Sequence, residues 1–461
     1  MTQSLFSTLN LKPELLENLE SLGYLSMTPV QEQSLPLILD GKDVIGQAKT
    51  GSGKTAAFGL GLLNKLNVKR FRIQTLILCP TRELADQVAK EIRRLARSIH
   101  NIKVLSLCGG KPFGPQVGSL EHGAHIIVGT PGRIEEHVRK GTLKLEEVNT
   151  YILDEADRML EMGFQDSLER IEEDLPKNRQ TLLFSATFPT KIKTISQNIM
   201  IDPVSVKVIA KLEPSTIEQL FYKVSGNDER MHMLQLVLME HRPESVVVFC
   251  TTKKEAQEIS DELQREGFSS MAIHGDLEQK DRDQILVRFS GKCISILVAT
   301  DVAARGLDIE SLDMVINYHI SRDPEVHTHR IGRTGRAGNK GMACSLYSDK
   351  ESYKVAILEE SSGLKVTPQK VPNDDILSDK KFFPKMACIL IDGGKKQKLR
   401  AGDILGALTG DNVIQGNKVG KISLFDNKSY VAVEYTVVKA AMKKLGNGKM
   451  KGKSFKVKWF K

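Results

Sequence analysis

The sequence lacks the features that would carry it into or across a membrane. Across 461 residues nothing approaches eighteen consecutive apolar side chains, so no stretch reads as a membrane-spanning helix. Met1-Thr2-Gln3-Ser4-Leu5 opens neither a basic nor an apolar region, and no export signal is expected. Only six cysteines occur (Cys79, Cys108, Cys250, Cys293, Cys344 and Cys388), and no two form a Cys-x-x-Cys pair. That spacing excludes a zinc site and a disulfide framework and predicts buried thiols in a reducing, cytoplasmic setting. Aromatics make up 5% of the chain, with Trp459 the single tryptophan. Acidic residues are scarce in one place. Residues 381–461 hold 18 Lys and Arg against 5 Asp and Glu, a net +13, whereas the whole chain carries +9 and residues 1–380 therefore −4. This asymmetry points to nucleic acid or another anionic surface as the partner of the tail.

What the chain does have begins at Ala48-Lys49-Thr50-Gly51-Ser52-Gly53-Lys54-Thr55, between the apolar stub Val44-Ile45 and the helix-prone Ala56-Ala57-Phe58. Strand, glycine turn and helix in that order make a phosphate cradle. Backbone N–H groups curl around the anion, Lys54 neutralises β and γ oxygens, Thr55 holds Mg²⁺, and the helix turns its positive end to the phosphate. Ala48 stands where the strict pattern has glycine.

A length of 461 residues predicts two or three domains. Phe6 to Leu39 reads as helical, with Leu15, Leu16, Leu19 and Leu22 on one face, a stop at Gly23 and a second helix opened by Thr28-Pro29. Tyr24 and Gln31 fall outside that apolar logic; an aromatic face and a side-chain amide suit a purine, while taken alone the two residues read rather as a packing tyrosine and a solvated glutamine. Apolar runs follow at Thr75–Cys79, Val104–Leu107, His125–Val128, Tyr151–Leu153 and Leu182–Phe184, alternating with amphipathic helices at Arg82–Arg97 and Phe164–Asp174. Such alternation predicts a parallel sheet covered on both faces, with ligands at the carboxyl ends of the strands. Polar clusters fall there: Pro80-Thr81-Arg82, Thr130-Pro131-Gly132-Arg133, Asp154-Glu155-Ala156-Asp157 and Ser185-Ala186-Thr187.

Val206–Thr216 reads as an interdomain linker. A second series of runs follows at Val246–Phe249, Met271–Ile273, Ile294–Val298 and Met314–Asn317, with helices at Lys253–Glu266 and Gln279–Phe289 but no second cradle. Residues 366–384, with three prolines, read as another linker. Beyond it the order βαββαβ predicts a ferredoxin-like sandwich of the kind found in RNA-recognition modules. The expected domains are 1–209, 217–365 and 385–461.

Asp154 ends an apolar run, where its carboxylate reaches the Mg²⁺ held by Thr55, and Glu155 beside it orients or deprotonates water. In the second half, His329-Arg330-Ile331-Gly332-Arg333-Thr334-Gly335-Arg336 sets basic residues among glycines in what reads as a loop. Arg333 and Arg336 are candidates to neutralise charge that develops during phosphoryl transfer.

These motifs, with Thr28-Pro29-Val30-Gln31, Gly109-Gly110, Val248-Phe249-Cys250-Thr251, His274-Gly275-Asp276 and Ala299 to Asp308, resemble in order those of DEAD-box RNA helicases over residues 1 to about 365. The resemblance implies two RecA-like domains that clamp ATP and RNA. It assigns adenine to Tyr24 and Gln31 with Phe6 stacking behind, phosphate to the cradle and Lys54, and Mg²⁺ to Thr55 and Asp154. Glu155 takes the attacking water, Gly306 and Asp308 lie near the γ-phosphate or ribose, and Arg333 and Arg336 act as fingers. RNA contacts fall to Pro80, Thr81, Arg82, Gly110, Thr130, Arg133, Thr251, Gly275, Arg282 and Thr300. Ser185 and Thr187 tie Asp157 and His329 into domain closure.

The tail resembles the RNA-binding domain of the DbpA subfamily, which is directed to a hairpin of large-subunit ribosomal RNA during ribosome assembly. Tyr430 keeps an aromatic, but Ala432 and Leu390 stand where the sheet face of a recognition module carries stacking rings. Lysines and loops are then expected to read the RNA. The reading is a monomeric RNA-dependent ATPase that opens short duplexes in pre-ribosomal particles. An RNA-binding scaffold that hydrolyses ATP only to let go and a DNA translocase are the alternatives from other classes.

Overall fold

A computed structural model of the chain describes residues 4–48, 51–188, 190–208, 217–304, 312–335, 340–410 and 413–460. The chain divides into two compact units, Met1–Leu212 and Glu213–Lys461.

The first unit is built on seven parallel strands: β1 (Val44–Gln47), β2 (Thr75–Leu78), β3 (Val104–Leu107), β4 (Ile126–Gly129), β5 (Thr150–Asp154), β6 (Gln180–Ser185) and β7 (Val204–Lys207). Their spatial order is β3-β4-β2-β5-β6-β1-β7. Successive residues enter opposite faces, as the pleat requires. Ile77 and Ile152 join one buried cluster with Phe58, Val88 and Ile92, whereas Leu76, Leu78, Tyr151 and Leu153 join another with Ile134 and Met159. Both faces are thus sealed by helices, which is why the central strands are continuously apolar.

In the second unit, β8 (Ile217–Val224), β9 (Val246–Cys250), β10 (Ser270–Ile273), β11 (Ile296–Thr300), β12 (Met314–Asn317) and β13 (Gly341–Ser348) form a parallel sheet of order β10-β11-β9-β12-β13-β8. Strands β7, β8 and β13 do not stand out in the sequence. β7 and β8 are edge strands, β7 alternating apolar with Ser205 and Lys207 and β8 interrupted by Glu218, Gln219 and Lys223, and β13 carries Gly341, Ala343, Cys344 and Ser345 in place of a β-branched run. The expected linker at Val206–Thr216 therefore begins inside β7, and residues 209–216 lie outside the described residues.

Residues 366–384 run along the second sheet domain as a strap. Gln369 N–H donates to Phe221 O at 2.7 Å, Ile376, Leu377 and Phe382 pack on the Tyr222 and Leu234 core, and Arg242 pairs with Asp379 at 3.0 Å. Prolines there set an extended course along a surface. The connection expected at 366–384 thus packs against the domain it leaves.

The tail has the expected βαββαβ order: β14 (Met386–Ile391), a helix Ala401–Thr409, β15 (Val419–Leu424), β16 (Ser429–Glu434), a helix Val438–Asn447 and β17 (Val457–Phe460). The antiparallel order is β15-β16-β14-β17. One sheet face packs on the two helices through Ile389, Val431, Val433, Ile404 and Leu445. The other face carries Cys388, Tyr430 and Ala432 and meets Cys293 and Val287 of the preceding domain. Tyr430 stacks on Phe460 at 6.4 Å, and the Arg288 guanidinium lies 5.4 Å from the Phe460 ring centroid. The small residue at 432 has a physical reason: a Cβ on Gly291 would stand 3.3 Å from Ala432 Cβ. A ring there has no room.

Ala432→Phe overpacks this contact, a change that costs about 1–3 kcal/mol. It is expected to quicken amide exchange across residues 287–293 while β9 exchanges as before. Equal rates in the two proteins would show that the contact does not form in solution.

Candidate nucleotide and RNA site

Parallel strands place every following loop on one edge, so the sheet order decides which loops meet. In the first unit β1, β6 and β5 are neighbours, and β2, β4 and β3 are neighbours on the other side. The candidate phosphate cradle follows β1, Asp154 and Glu155 stand at the end of β5, and the candidate coupling residues Ser185 and Thr187 stand at the end of β6. The candidate RNA residues of this unit follow β2, β3 and β4. The motifs therefore separate into two halves of one edge, an arrangement that only the strand order reveals.

In the nucleotide half, Gly51 and Gly53 take φ of +77° and +94°, the left-handed region open to glycine. Gly53 has a second constraint, since a Cβ there would lie 2.5 Å from Gln31 Nε2. Lys54 and Thr55 open the helix Lys54–Lys65, and the buried Lys54 ammonium donates to Ala48 O at 2.7 Å. Lys49 and Thr50 lie outside the described residues. Gln31 is 1% exposed and joins the cradle to the helix Pro29–Leu39. Its Oε1 accepts from Thr28 N at 2.9 Å, and its Nε2 donates to Gly53 O at 3.1 Å. Tyr24 donates to Glu91 at 3.0 Å under the Arg94 guanidinium. Phe6 meets Tyr24 edge-on at 85°.

Asp154, the last residue of β5, is 3% exposed, and its Oδ1 has no hydrogen-bond partner among the described residues. Burial pushes its carboxyl up to about 6; the Lys54 ammonium pulls it down, and Glu155 pushes it up. The Ser52 hydroxyl is likewise buried without a partner there. An orphan carboxylate oxygen and an orphan hydroxyl beside a buried ammonium fit a phosphate with a hard divalent cation. Among the described residues no cluster of three or more His, Cys, Asp or Glu could hold a metal alone, so a cation here depends on ligand oxygens.

Glu155 holds φ +55° at the start of the short helix Ala156–Glu161 and pairs with Arg158 at 2.8 Å. Asp157 Oδ2 accepts from Thr187 N and Oγ1, both at 2.9 Å, and Ser185 Oγ donates to Thr187 O at 2.6 Å. Burial raises the Asp157 carboxyl, but the Thr187 hydrogen bonds outweigh it and hold the value low. Three of the four expected coupling residues are thus joined; His329 lies in the other unit.

In the RNA half, Thr81 caps the helix Arg82–Leu95 by accepting from Leu84 N at 3.2 Å. Arg82 crosses the glycine turn after β3 so closely that a Cβ on Gly110, itself at φ +73°, would sit 1.8 Å from its Nη1. Gly109 N donates to Thr130 Oγ1 at 3.5 Å, and Arg133 Nη1 donates to Lys111 O at 3.0 Å. Pro80, Thr81, Arg82, Gly110, Thr130 and Arg133 accordingly fall on three adjacent loops.

The second sheet repeats the plan. Gly275, Thr300 and Thr251 stand at the ends of β10, β11 and β9, three neighbours, and Arg282 Nη1 donates to His274 O at 3.3 Å. Lys253, which sequence reasoning passed over, lies with its Cε 3.4 Å from where a Cβ on Gly275 would be. Arg330 was also missed: it is 5% exposed and bidentate on Asp301 at 2.6 and 2.7 Å. The expected basic loop is in fact helical through Ile331, in Pro324–Ile331, and Arg333 is buried just beyond it. Gly306, Asp308 and Arg336 lie outside the described residues.

Comparison with known proteins agrees with this plan. Residues 28–195 match the DEAD/DEAH box helicase family, 229–338 the helicase conserved C-terminal domain and 388–458 the DbpA RNA-binding domain. The ATP-dependent RNA helicase DbpA of Escherichia coli K12 is 52% identical over 457 residues, covering 99% of both chains. The chain belongs to the DbpA subfamily of DEAD-box RNA helicases. As a DEAD-box helicase it is an RNA-stimulated ATPase. Another helicase of the family, CshA of Listeria monocytogenes, is 44% identical over 371 residues, 80% of this chain and 71% of its own. Among solved structures, S. cerevisiae Dbp5 bound to RNA and ADP BeF3 superposes with a TM-score of 0.71 at 31% identity, covering 81% of this chain and 96% of that one. Mss116p bound to ssRNA and AMP-PNP gives 0.73 at 28% identity, covering 81% of each.

The raised Asp154 carboxyl has a consequence for stability. Its protonated form is the one that folding favours, so this contribution is complete below the unfolded value of 3.8 and is lost as pH rises through about 6. Asp154→Asn is therefore expected to stabilise the nucleotide-free helicase at pH 7.5 by on the order of 2 kcal/mol, with no gain at pH 3. Thermal unfolding of both proteins at both pH values checks this; equal stability at pH 7.5 would contradict it.

Proposed function

We propose that this helicase opens short RNA duplexes locally and is directed by its C-terminal domain to a structured hairpin of large-subunit ribosomal RNA during ribosome assembly. The observation that carries the targeting is the tail itself: a DbpA RNA-binding domain with 18 basic against 5 acidic residues from 381 onward. Its sheet face is covered by Val287 and Cys293, so loops and lysines are left to read RNA. The core supplies no base readout in this proposal. Its loops grip sugar and phosphate, and bending of the held strand breaks pairing. The protein works in the cytoplasm, on pre-ribosomal particles, as a monomer.

In this reading Tyr24 and Gln31, backed by Phe6, hold adenine, and the Ala48–Thr55 turn holds the phosphates. Thr55 and Asp154 hold Mg²⁺, which neutralises charge on the β and γ oxygens when bound. Lys54 leaves Ala48 O for a phosphate oxygen. Glu155 orients the attacking water and takes its proton. Gly306 and Asp308 serve the γ-phosphate or ribose, and Arg333 and Arg336 meet charge that builds in the transition state. Asp157, Ser185, Thr187 and His329 couple closure to hydrolysis. Pro80, Thr81, Arg82, Gly110, Thr130, Arg133, Thr251, Gly275, Arg282 and Thr300 hold the RNA backbone.

Arg333→Ala is expected to keep ATP binding while RNA-stimulated turnover falls by roughly 10³. A parallel fall in ATP affinity would make Arg333 a ground-state ligand. For targeting, RNA-stimulated ATPase is measured with a ribosomal hairpin fragment and with an equal mass of unrelated structured RNA, before and after deletion of residues 381–461. The hairpin is expected to win only in the intact chain; equal stimulation by both RNAs would leave a general helicase with a basic tail.

A further inference from the structure

One carboxylate oxygen of Glu155 is engaged by Arg158. Its Oε2 accepts from Arg158 Nη1 at 2.8 Å, and the two side chains are only 7% and 8% exposed. Two features of the local chain produce this pair. Glu155 takes φ +55°, a left-handed conformation unusual for a side-chain-bearing residue, and the helix Ala156–Glu161 begins directly after it. A glutamate at the head of a helix and an arginine three residues on share a face. The pair is also sheltered from solvent, where a charge-assisted bond persists rather than exchanging with water. Strain of this kind at a site of chemistry is held in place by its surroundings.

We propose that Arg158 is a positioning residue that parks Glu155 until RNA arrives, so that the Arg158–Glu155 pair sets the low rate of hydrolysis without RNA. The proposal rests on Glu155 as the group that takes the proton of the attacking water. In the reaction the water oxygen forms a bond to the γ-phosphorus as the bond to the β–γ bridging oxygen breaks. ADP leaves with that electron pair, and one water proton passes to Glu155 and then to solvent. An oxygen that accepts from the Arg158 guanidinium is aimed at Arg158, not at a water on the phosphate. Release of the pair then becomes part of what RNA must bring about.

The test compares the full chain with Arg158→Met, which keeps an apolar stem but drops the charge, and with Arg158→Lys, which keeps the charge. Steady-state ATPase is measured with and without RNA. Arg158→Met is expected to raise the RNA-free kcat about threefold or more at unchanged KM for ATP, and to shrink the stimulation by RNA by the same factor. Arg158→Lys is expected to restore most of the stimulation. A merely structural arginine predicts the opposite, an RNA-free kcat that falls or holds while the melting temperature drops, and either result overturns the proposal. Arg158→Gln serves as the second charge removal if the methionine variant does not fold. Glu155→Gln separates the two ideas: if it turns over ATP normally, the base assignment itself fails, whatever the arginine variants do.

Discussion

A parallel sheet cannot be built from hairpins, and each of its strands must be followed by a crossover before the next. That single constraint puts the loop after every strand at one edge, and most of the chemistry of this helicase is collected there. In the first unit the order β3-β4-β2-β5-β6-β1 divides the edge into the half proposed to hold RNA and the half proposed to hold the nucleotide, with β2 and β5 adjacent at the border. Pro80 follows β2 and Asp154 ends β5, so the two functions meet across neighbouring strands. The second sheet repeats the grouping for Gly275, Thr300 and Thr251 without a phosphate cradle.

Charge is stored at that edge at some cost to the ligand-free fold. Asp154 is buried with one oxygen unpartnered among the described residues, Lys54 turns its ammonium onto the cradle's own carbonyl, and Glu155 is held by Arg158. By contrast, Asp157 is saturated by Thr187 and Asp301 by Arg330, as expected of groups that hold shape rather than bind. Burial alone does not separate Asp154 from Asp157, since the two are buried alike.

Much of this was legible in the sequence wherever the signal was local. The cradle, the helix opened by Thr28-Pro29, the central strands and the βαββαβ tail all follow from short patterns of residues. Edge strands β7 and β8 were not legible, because half of their side chains face outward and break the apolar run. Strand order was not legible either, being set by pairings between distant segments. Residues 366–384 looked like a linker because proline and charge say nothing of Phe382 lying against Phe268 at 5.9 Å. Ala432 looked like a lost stacking ring, and its cause, Gly291, lies 141 positions away and in another domain. Arg330 sat among the expected basic residues, yet only burial on Asp301 separates its structural task from that of Arg333.

The division of the carboxyl edge is the claim on which the account stands, and amide hydrogen exchange of the full chain tests it. A non-hydrolysable ATP analogue alone is expected to protect residues 51–57 and 154–158 and the start of the helix Pro29–Leu39. Single-stranded RNA added with the analogue is expected to extend protection to residues 80–84, 108–112 and 130–134. Protection of those three RNA loops by the nucleotide alone, or RNA protection confined to the β1 and β5 loops, would contradict it.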